Sequence, residues 1–389
     1  MQSMSFPPSD HCDGTFFSNP PLPRDWPPAP RPPVCPDEPP SELRAEKRRR
    51  GVRPSSFLRW IAESITEKQP HIVDPPAAGH PTDRPDANRV GVTFIGHCTF
   101  LLRLQQPDGR VLTILTDPIF SERCSPVSFF GPKRFRPPAW RLDDLPPIDI
   151  VLISHSHYDH LDLPSLRVIA RRDNPVVVTP FGNGEVIRKS GLRRIAERDW
   201  WESVRIGDLE ITCTPARHFS QRTLKDAGRR VWGGFFLHFP NAPALPSVFF
   251  AGDTAHSPHW KQIHDRLGAP DIAFLPIGAY APRSFLRKVH VDPVEAVAAF
   301  QQLEAKQAIA MHFGTFPLSK EPLGEPERCL RETLDWAGLP DDVFVPLAFG
   351  ETRSVGGVNP SHAQVDRVEE EKPAAASPPP EEKKKGKAA

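Results

Sequence analysis

The feature that most constrains this chain is an H-x-H-x-D-H motif that directly follows an apolar run. Ile148–Ser154 has the pattern of a short buried strand, and the motif begins at the next residue. His155 and His157 are two positions apart, so in an extended or turn segment they point the same way and can bind one ion. Asp159 and His160 are adjacent, so they project differently and can bind a second ion nearby. Imidazole nitrogen and carboxylate oxygen form a ligand set suited to Zn²⁺.

Three further apolar runs end in a residue that could bind a metal. They lead to His218, Asp253 and His312, in that order along the chain. Taken singly, either histidine has a structural alternative as a satisfied buried side chain, and Asp253 has one as a turn residue. A polar loop with solvated histidines is the corresponding alternative for the motif itself. The joint occurrence of these residues at strand ends favours one metal centre over four unrelated explanations.

The composition divides the chain into three parts. Residues 1–54 are crowded with proline and charged residues, and residues 356–389 are dominated by glutamate, lysine, alanine and proline. Both ends hold too little apolar surface to offset the entropy of ordering, so we predict a disordered proline-rich basic arm and a disordered charged tail. Residues 55–355 are numerous enough for a substantial core and are predicted to form one domain.

Charge, cysteines and hydropathy exclude several classes of protein. The formal net charge is +1, which gives no global field that would attract nucleic acid. Six cysteines are scattered without a C-x-x-C pair, so neither a disulfide framework nor a cysteine zinc knuckle is expected and a reducing compartment fits. The N-terminus has no apolar stretch typical of a signal peptide, and no run of 18 apolar residues occurs. We therefore expect a cytoplasmic protein without a transmembrane segment.

The combination of these motifs resembles the metallo-β-lactamase superfamily. Further segments resemble one branch of it, the N-acylphosphatidylethanolamine-hydrolysing phospholipases D, and the likeness runs from about Phe57 to about Val355. Cys98 departs from that branch, where alanine is more frequent; a change of this volume is tolerable. The segments that carry the likeness to the branch are Phe94–Thr99, Leu115–Ser121, Gly131–Phe135, Asp199–Glu202, Arg222–Leu224, Pro276–Tyr280, His290–Pro293 and His312–Phe316.

The resemblance implies a fold and a set of metal ligands. The fold class is α/β, a four-layer αββα sandwich of two mixed sheets with outer helices, and the cofactors are two Zn²⁺ ions. Asp253 would bridge the two ions, and Asp117 would orient ligands by hydrogen bonding. An Asp-Pro turn is the alternative role for Asp117. The implied ligands are His155, His157 and His218 for one ion and Asp159, His160 and His312 for the other.

The resemblance also implies a reaction. A metal-bridging hydroxide would attack the phosphodiester phosphorus of N-acylphosphatidylethanolamine, releasing N-acylethanolamine and leaving phosphatidic acid. Asp253 would help to fix the hydroxide, and His290 is a candidate for binding phosphate or protonating the leaving alkoxide. A structural role for His290, capping the helix that begins at Pro293, stays open. The alternatives are a metallo-hydrolase of the same fold acting on a soluble substrate, such as a lactonase or phosphodiesterase, and a non-catalytic binding protein.

A phospholipid substrate requires access to a membrane surface, and two segments have suitable patterns. Phe57–Ile65 forms a short amphipathic helix with an apolar face, and Phe129–Arg136 mixes aromatic and cationic residues. Both favour peripheral association with an anionic membrane. Packing of the helix on the core or on a second subunit is an equal alternative, and the resemblance implies a homodimer.

Overall fold

The computed structural model of the protein describes residues 11–13, 16–23, 26–32, 70–75, 77–223 and 225–356. Helix Phe57–Ile65, predicted from the sequence, and the tail beyond Gly356 lie outside these residues. The described strands are β1 Val90–Gly96, β2 Thr99–Gln105, β3 Val111–Thr116, β4 Ile150–Leu152, β5 Val176–Pro180, β6 Ile195–Arg198, β7 Ser203–Ile206, β8 Leu209–Thr214, β9 Gly234–His238, β10 Val248–Phe250, β11 Ile272–Pro276, β12 Gln307–Met311, β13 Phe344–Val345 and β14 Thr352–Val355. The described α-helices are α1 Leu163–Arg172, α2 Gly184–Ile187, α3 His259–Leu267, α4 Arg283–Leu286, α5 Pro293–Gln302 and α6 Glu325–Ala337, with short 3₁₀ turns at Leu142–Asp144 and Arg188–Ser190.

The strands form two mixed sheets of seven strands each. The order is β14-β1-β2-β3-β4-β5-β6 in the first sheet and β13-β12-β11-β10-β9-β8-β7 in the second. In the first sheet β1, β2, β3 and β14 pair antiparallel, whereas β3 to β6 pair parallel. The second sheet repeats this division, with β7 to β10 antiparallel and β10 to β13 parallel. Two similar halves therefore face each other.

The main core lies between the two sheets. Phe100 of β2 contacts Phe274 of β11, with ring centroids 4.8 Å apart, and Phe94 stacks on Phe100 at 4.7 Å. Strand β1 is buried on both faces: Phe94 belongs to this central core, while its neighbour Ile95 packs in a second cluster with Leu166 of α1. Burial on both faces explains the nearly continuous apolar runs in the sequence.

Helices cover the outer faces of both sheets. Helix α1 buries Leu166 and Ile169 in the second cluster, and α5 packs against β11 and α6. The N-terminus of α5 is capped by Asp292, whose side chain accepts a hydrogen bond from the Glu295 backbone N–H. The order of layers is helix, sheet, sheet, helix, so the predicted four-layer αββα fold is confirmed. No helix among the described residues has both the length and the apolar character needed to cross a bilayer.

Part of the N-terminal arm packs on the domain, so its prediction as a disordered segment is wrong for the described residues between 11 and 32. Phe17 is buried in a cluster with Trp200 and Trp232, and Ala29 packs against Val294. A few apolar anchors spaced along a proline-rich segment are sufficient for docking, although the average composition of the arm is polar. The predicted end of the domain at residue 355 coincides with the last residue of β14.

The described cysteines form no cysteine zinc knuckle. Cys98, Cys124 and Cys213 are buried free thiols, and Cys12 is a half-buried one. Cys329 is disulfide-bonded, which the scattered spacing of the cysteines did not predict. A bond at this position does not make a disulfide framework, and the sheets owe their cohesion to the apolar core.

Candidate metal centre

The carboxyl ends of five strands converge on one site. Strands β3, β4, β8, β10 and β12 end within a few residues of the predicted site residues. Gly252 has φ +62°, and a Cβ atom there would lie 2.8 Å from the Cβ of Ser154, so only glycine fits immediately before Asp253. The residues brought together are Asp117, His155, His157, Asp159, His160, His218, Asp253 and His312.

Three histidines form the first group of ligand atoms. His155 Nε2 lies 2.8 Å from His157 Nδ1, and His218 Nε2 lies 3.2 Å from the same atom. Burial lowers the pKa of His155 well below its ordinary value, with further lowering by neighbouring imidazoles. Burial likewise lowers the pKa of His157 to about 3 and lowers that of His218. The three rings are therefore neutral, and their converging lone pairs suit one cation.

Two carboxylates and two histidines form the second group. His160 Nε2 lies 3.2 Å from Asp253 Oδ2 and 3.3 Å from Asp159 Oδ2. His312 Nε2 lies 3.0 Å from Asp253 Oδ2 and 3.5 Å from Asp159 Oδ2. Burial opposes protonation of both rings, yet the carboxylate of Asp253 raises the pKa of His160 well above its usual range and that of His312 to about 9. The two carboxylates therefore favour positive charge at this group, as protons or as a metal ion.

Asp253 lies between the two groups. Its Oδ2 atom is 3.2 Å from His160 Nε2 and 3.0 Å from His312 Nε2 in the second group. The same oxygen is 3.9 Å from His155 Nε2 and 3.8 Å from His218 Nε2 in the first group. One carboxylate thus reaches nitrogen atoms of both groups, as a bridging ligand would.

Buried atoms without hydrogen-bond partners provide an independent test of whether metal ions fit. His160 Nε2, His312 Nε2 and Asp253 Oδ1 are all buried and lack a well-directed hydrogen bond among the described residues, although both nitrogens lie close to carboxylate oxygens. Unsatisfied buried polar atoms are rare and costly, and here they share one small region. The donor set and these free atoms both fit divalent cations.

Hydrogen bonds at Nδ1 fix the orientation of two of the histidine rings, those of His160 and His218. His160 Nδ1 donates to Asp117 Oδ2 at 2.7 Å, and Asp117 also accepts from the backbone and hydroxyl of Ser154. His218 Nδ1 donates to the carbonyl of Val289 at 2.9 Å. In both rings the Nδ1 hydrogen bond fixes the ring orientation and directs Nε2 into the site.

Arg222 holds the loop that carries the H-x-H-x-D-H motif. Its Nη1 donates to the carbonyl oxygens of Ser156 and Leu161, both at 2.8 Å. The guanidinium carbon also lies 3.8 Å from the ring centroid of Tyr158. One side chain therefore spans the loop from its second residue to the residue that follows it.

His290 lies beside the first group of ligand atoms, and its role in binding phosphate or donating a proton stays a prediction. Its ring centroid is 5.0 Å from that of His218, and its Nδ1 lies 3.9 Å from Asp253 Oδ2. The Nδ1 atom is buried and has no hydrogen-bond partner among the described residues. The alternative role of capping α5 is performed by Asp292, so it does not apply to His290.

His97 is a site residue that the sequence analysis did not single out. It follows β1, has φ +59°, and its Nε2 donates to Asp159 Oδ2 at 3.0 Å. Its ring centroid lies 4.1 Å from that of His312, and burial lowers its pKa to about 3. The signal was present in the sequence, because His97 is one more histidine at the end of an apolar strand.

The segment Phe129–Arg136 proves to be divided. Phe129 and Phe130 are 81% and 53% exposed, and Lys133 is also accessible. Arg134 is buried and donates to the Ile119 carbonyl, while the Arg136 guanidinium packs over Phe349, 3.9 Å from the ring centroid, and pairs with Asp74. Of the three cations in the segment, the two arginines are therefore engaged within the domain, and Lys133 is accessible.

Comparison with known proteins defines the class to which this fold and site belong. Residues 113–313 match the family described as the beta-lactamase superfamily domain. The chain therefore belongs to the metallo-β-lactamase superfamily and is a hydrolase of its metal-dependent type.

Particular relatives and solved structures narrow the comparison. The N-acyl-phosphatidylethanolamine-hydrolyzing phospholipase D 1 of Caenorhabditis elegans is 36% identical over 273 residues, which cover 67% of this chain and 74% of that protein. A UPF0173 metal-dependent hydrolase of Koribacter versatilis is 32% identical over 238 residues, covering 60% of this chain and 88% of that protein. The fold is shared with the metallo hydrolase Igni18 of Ignicoccus hospitalis, at 24% identity with a TM-score of 0.51, covering 69% of this chain and 100% of that one. It is also shared with an isothiocyanate hydrolase from Delia radicum gut bacteria, at 20% identity with a TM-score of 0.54 and the same two coverages.

Proposed function

We propose that the protein is a zinc-dependent phosphodiesterase of the phospholipase D type that hydrolyses N-acylphosphatidylethanolamine to N-acylethanolamine and phosphatidic acid. The observation that carries the proposal is the position of Asp253 Oδ2, within 3.9 Å of nitrogen atoms from both ligand groups. Two ions that share a carboxylate suit the displacement of one phosphate oxygen by another. The name of the Caenorhabditis elegans relative supports the choice of lipid.

The residues present fit two zinc ions. His155, His157 and His218 would hold one ion, the second group would hold the other, and Asp253 would contact both. Imidazole and carboxylate ligands suit zinc, and the hydrogen bonds at the distal ring nitrogens provide the expected support. Zinc held in this way supplies Lewis acidity and a water-derived nucleophile near neutral pH.

The chain's own residues would bind and orient the phosphodiester. Hydrolysis forms a P–O bond to a water oxygen and breaks the P–O bond to N-acylethanolamine, whose oxygen takes up a proton. His290, with its free Nδ1 beside Asp253, is placed to donate a hydrogen bond to a phosphate oxygen. Burial lowers the pKa of His290 well below its usual range, so this role suits the neutral ring better than supplying the proton does.

A small cavity lies beside the centre. Its volume is about 40 Å³, and its lining includes His97, His312, Phe316 and Glu321. This cavity is too small to hold an acyl chain, so the choice of a lipid substrate is supported by the Caenorhabditis elegans relative and by the exposed aromatic residues of the Phe129–Arg136 loop.

Access to lipid would come through the exposed tip of the Phe129–Arg136 loop. Phe129 and Phe130 would enter the interface, and Lys133 would face anionic headgroups after leaving its ion pair with Glu122, where the atoms are 2.7 Å apart. Peripheral association with a membrane, without a spanning segment, is part of this proposal. A homodimer stays a prediction from the family resemblance.

A second candidate function is hydrolysis of a soluble substrate by the same centre. The UPF0173 relative favours it, because that protein carries the same class of activity without a lipid in its name.

The test measures metal content of the purified protein and compares turnover of vesicle-borne N-acylphosphatidylethanolamine with that of a short-chain, water-soluble phosphodiester. If the protein is the proposed phospholipase D, it should contain divalent metal and release N-acylethanolamine from the vesicles. Turnover of the soluble ester alone would establish the second candidate.

A further inference from the structure

The described part of the N-terminal arm lies against the backbone of a proposed metal ligand. Asn19 Nδ2 donates to the main-chain carbonyl of His218 at 2.7 Å, across 199 positions of sequence. The neighbouring Arg217 returns a hydrogen bond, because its Nη1 donates to the carbonyl of Pro20 at 2.9 Å. The arm and the His218 segment are thus joined by two hydrogen bonds running in opposite directions.

Apolar anchors hold this part of the arm in place. The backbone N–H of Phe17 donates to the Gly228 carbonyl at 2.7 Å, and the Phe17 ring is buried against Trp200 and Trp232. The ring of His11 stacks on Trp200, with centroids 3.7 Å apart. Because Asn19 is only two residues from Phe17, its amide is delivered to His218 by a fixed segment.

A second contact of the arm reaches the segment that orients the His218 ring. Arg31 Nη2 lies 2.7 Å from Asp292 Oδ2, beside Arg283, whose Nη1 donates to the His290 carbonyl at 2.9 Å. The Val289 carbonyl, one residue earlier, is the acceptor for His218 Nδ1. The arm therefore contacts both the backbone of His218 and the ion-pair network next to the acceptor that fixes its ring.

We propose that Asn19 and Arg31 are positioning residues for the metal centre, acting through His218. This inference rests on the proposed function only in taking His218 as a metal ligand. Asn19 donates to the backbone of one ligand of the first group, and among the described residues no hydrogen bond joins it to the second group. Its loss should therefore loosen one ion and leave the other unchanged, which a general effect on stability would not do. These residues lie outside the part of the chain that matches the superfamily domain.

The test follows metal release from the zinc-loaded, full-length protein into a chromogenic chelator. The variants are Asn19→Ala and Arg31→Ala, with Arg31→Lys as the charge-conserving comparison. Asn241→Ala, at an exposed turn, is the matched control. His218→Ala identifies the release phase of the first ion, because that phase should disappear. Melting temperatures are recorded for every variant.

Asn19→Ala should speed release of the first ion by about tenfold. Losses of this size are typical when a residue that hydrogen-bonds to a metal ligand is removed. Arg31→Ala should speed the same phase by a smaller factor, and Arg31→Lys should behave like the unmodified protein. The rate of the other phase, which belongs to the second ion, should be unchanged. Both rates should be unchanged in Asn241→Ala. Unaltered release from Asn19→Ala, or equal acceleration of both ions, would overturn the positioning role.

The same data separate this inference from the proposed function. Normal metal content with accelerated release, in a protein that does not hydrolyse the lipid, would support the positioning role and contradict the proposed substrate. Full lipid turnover with unaltered metal release from Asn19→Ala would support the proposed substrate and contradict the positioning role. An unmodified protein that retains no metal would overturn both.

Discussion

Asp117 Oδ2 accepts a hydrogen bond from His160 Nδ1 at 2.7 Å, and both side chains are completely buried. Burial raises the pKa of Asp117, while the pairing with His160 and the hydrogen bonds from Ser154 oppose that rise. The contact fixes which nitrogen of His160 faces Asp253. Asp117, which binds no ion in the proposed assignment, therefore controls the orientation of His160, which does.

Replacing Asp117 with Asn should weaken metal binding without removing a ligand. The amide carries no negative charge to stabilise the Nδ1 hydrogen of His160, and its N–H₂ can face the ring and favour the wrong tautomer. We expect affinity for the ion at His160 to fall by about 10- to 100-fold, as measured by chelator competition. Asp208→Asn, at an exposed position, is the control. Equal affinities in the two variants would show that Asp117 has only a turn-forming role.

Replacing Arg222 with Ala should loosen the loop that carries the motif. The change removes two hydrogen bonds to backbone carbonyls and the packing on Tyr158. The expected loss of stability is about 2 kcal/mol, measured by urea unfolding. Arg222→Lys should recover part of it, since lysine keeps the cation over the ring but cannot span both carbonyls. A fully stable alanine variant would contradict this role.

His256 should make the protein less stable at acidic pH. Burial lowers its pKa to about 4, whereas the unfolded chain has the ordinary value of 6.5. Since the unfolded state then binds the proton more readily, the stability that neutral His256 contributes is present above pH 6.5 and is lost as pH falls towards 4. The loss between pH 6.5 and pH 5 is up to about 2 kcal/mol.

Urea unfolding of the unmodified protein and His256→Asn at both pH values measures this contribution. The variant should lose less stability between the two, because its side chain does not titrate. The other buried histidines are common to both proteins and cancel in the comparison. Identical pH dependence of the two proteins would exclude His256 as a cause.

Replacing both Phe129 and Phe130 with Ser should reduce turnover of vesicle lipid. The two rings are exposed and make no contribution to the buried core clusters, so the fold and the metal content should be unchanged. We expect vesicle binding and lipid turnover to fall together by about tenfold or more, given the apolar area withdrawn from the interface. Turnover of a water-soluble phosphodiester is the internal control. Equal loss on both substrates would point to a structural role for the tip.

The sequence predicted which side chains come together at one site, because strand periodicity acts locally. An apolar run followed by His155, His218 or His312 defines both a strand and the residue at its end, and parallel strands bring their carboxyl ends to one edge. His97 was missed although it also follows an apolar strand, and the positive-φ turn that directs it into the site is not specified by periodicity. Its contact with Asp159 is tertiary.

Two other features depended on contacts that no local pattern specifies. The arm was predicted to be disordered because its average composition is polar, yet Phe17 and Asn19 dock it on the domain. The pattern of Phe129–Arg136 did not show that the guanidinium groups of Arg134 and Arg136 pack on phenylalanine rings of the domain. In each case the outcome depends on which partner a side chain meets across the fold.

The central claim is attack on phosphorus in N-acylphosphatidylethanolamine, and hydrolysis in isotopically labelled water tests it most directly. The unmodified, zinc-loaded protein and Asp253→Asn are incubated with vesicles, and both products are analysed by mass spectrometry. We predict equal amounts of N-acylethanolamine and phosphatidic acid, with the labelled oxygen only in phosphatidic acid, and no products from Asp253→Asn or after chelation. Label in N-acylethanolamine, or no lipid products from a fully metal-loaded protein, would contradict the account.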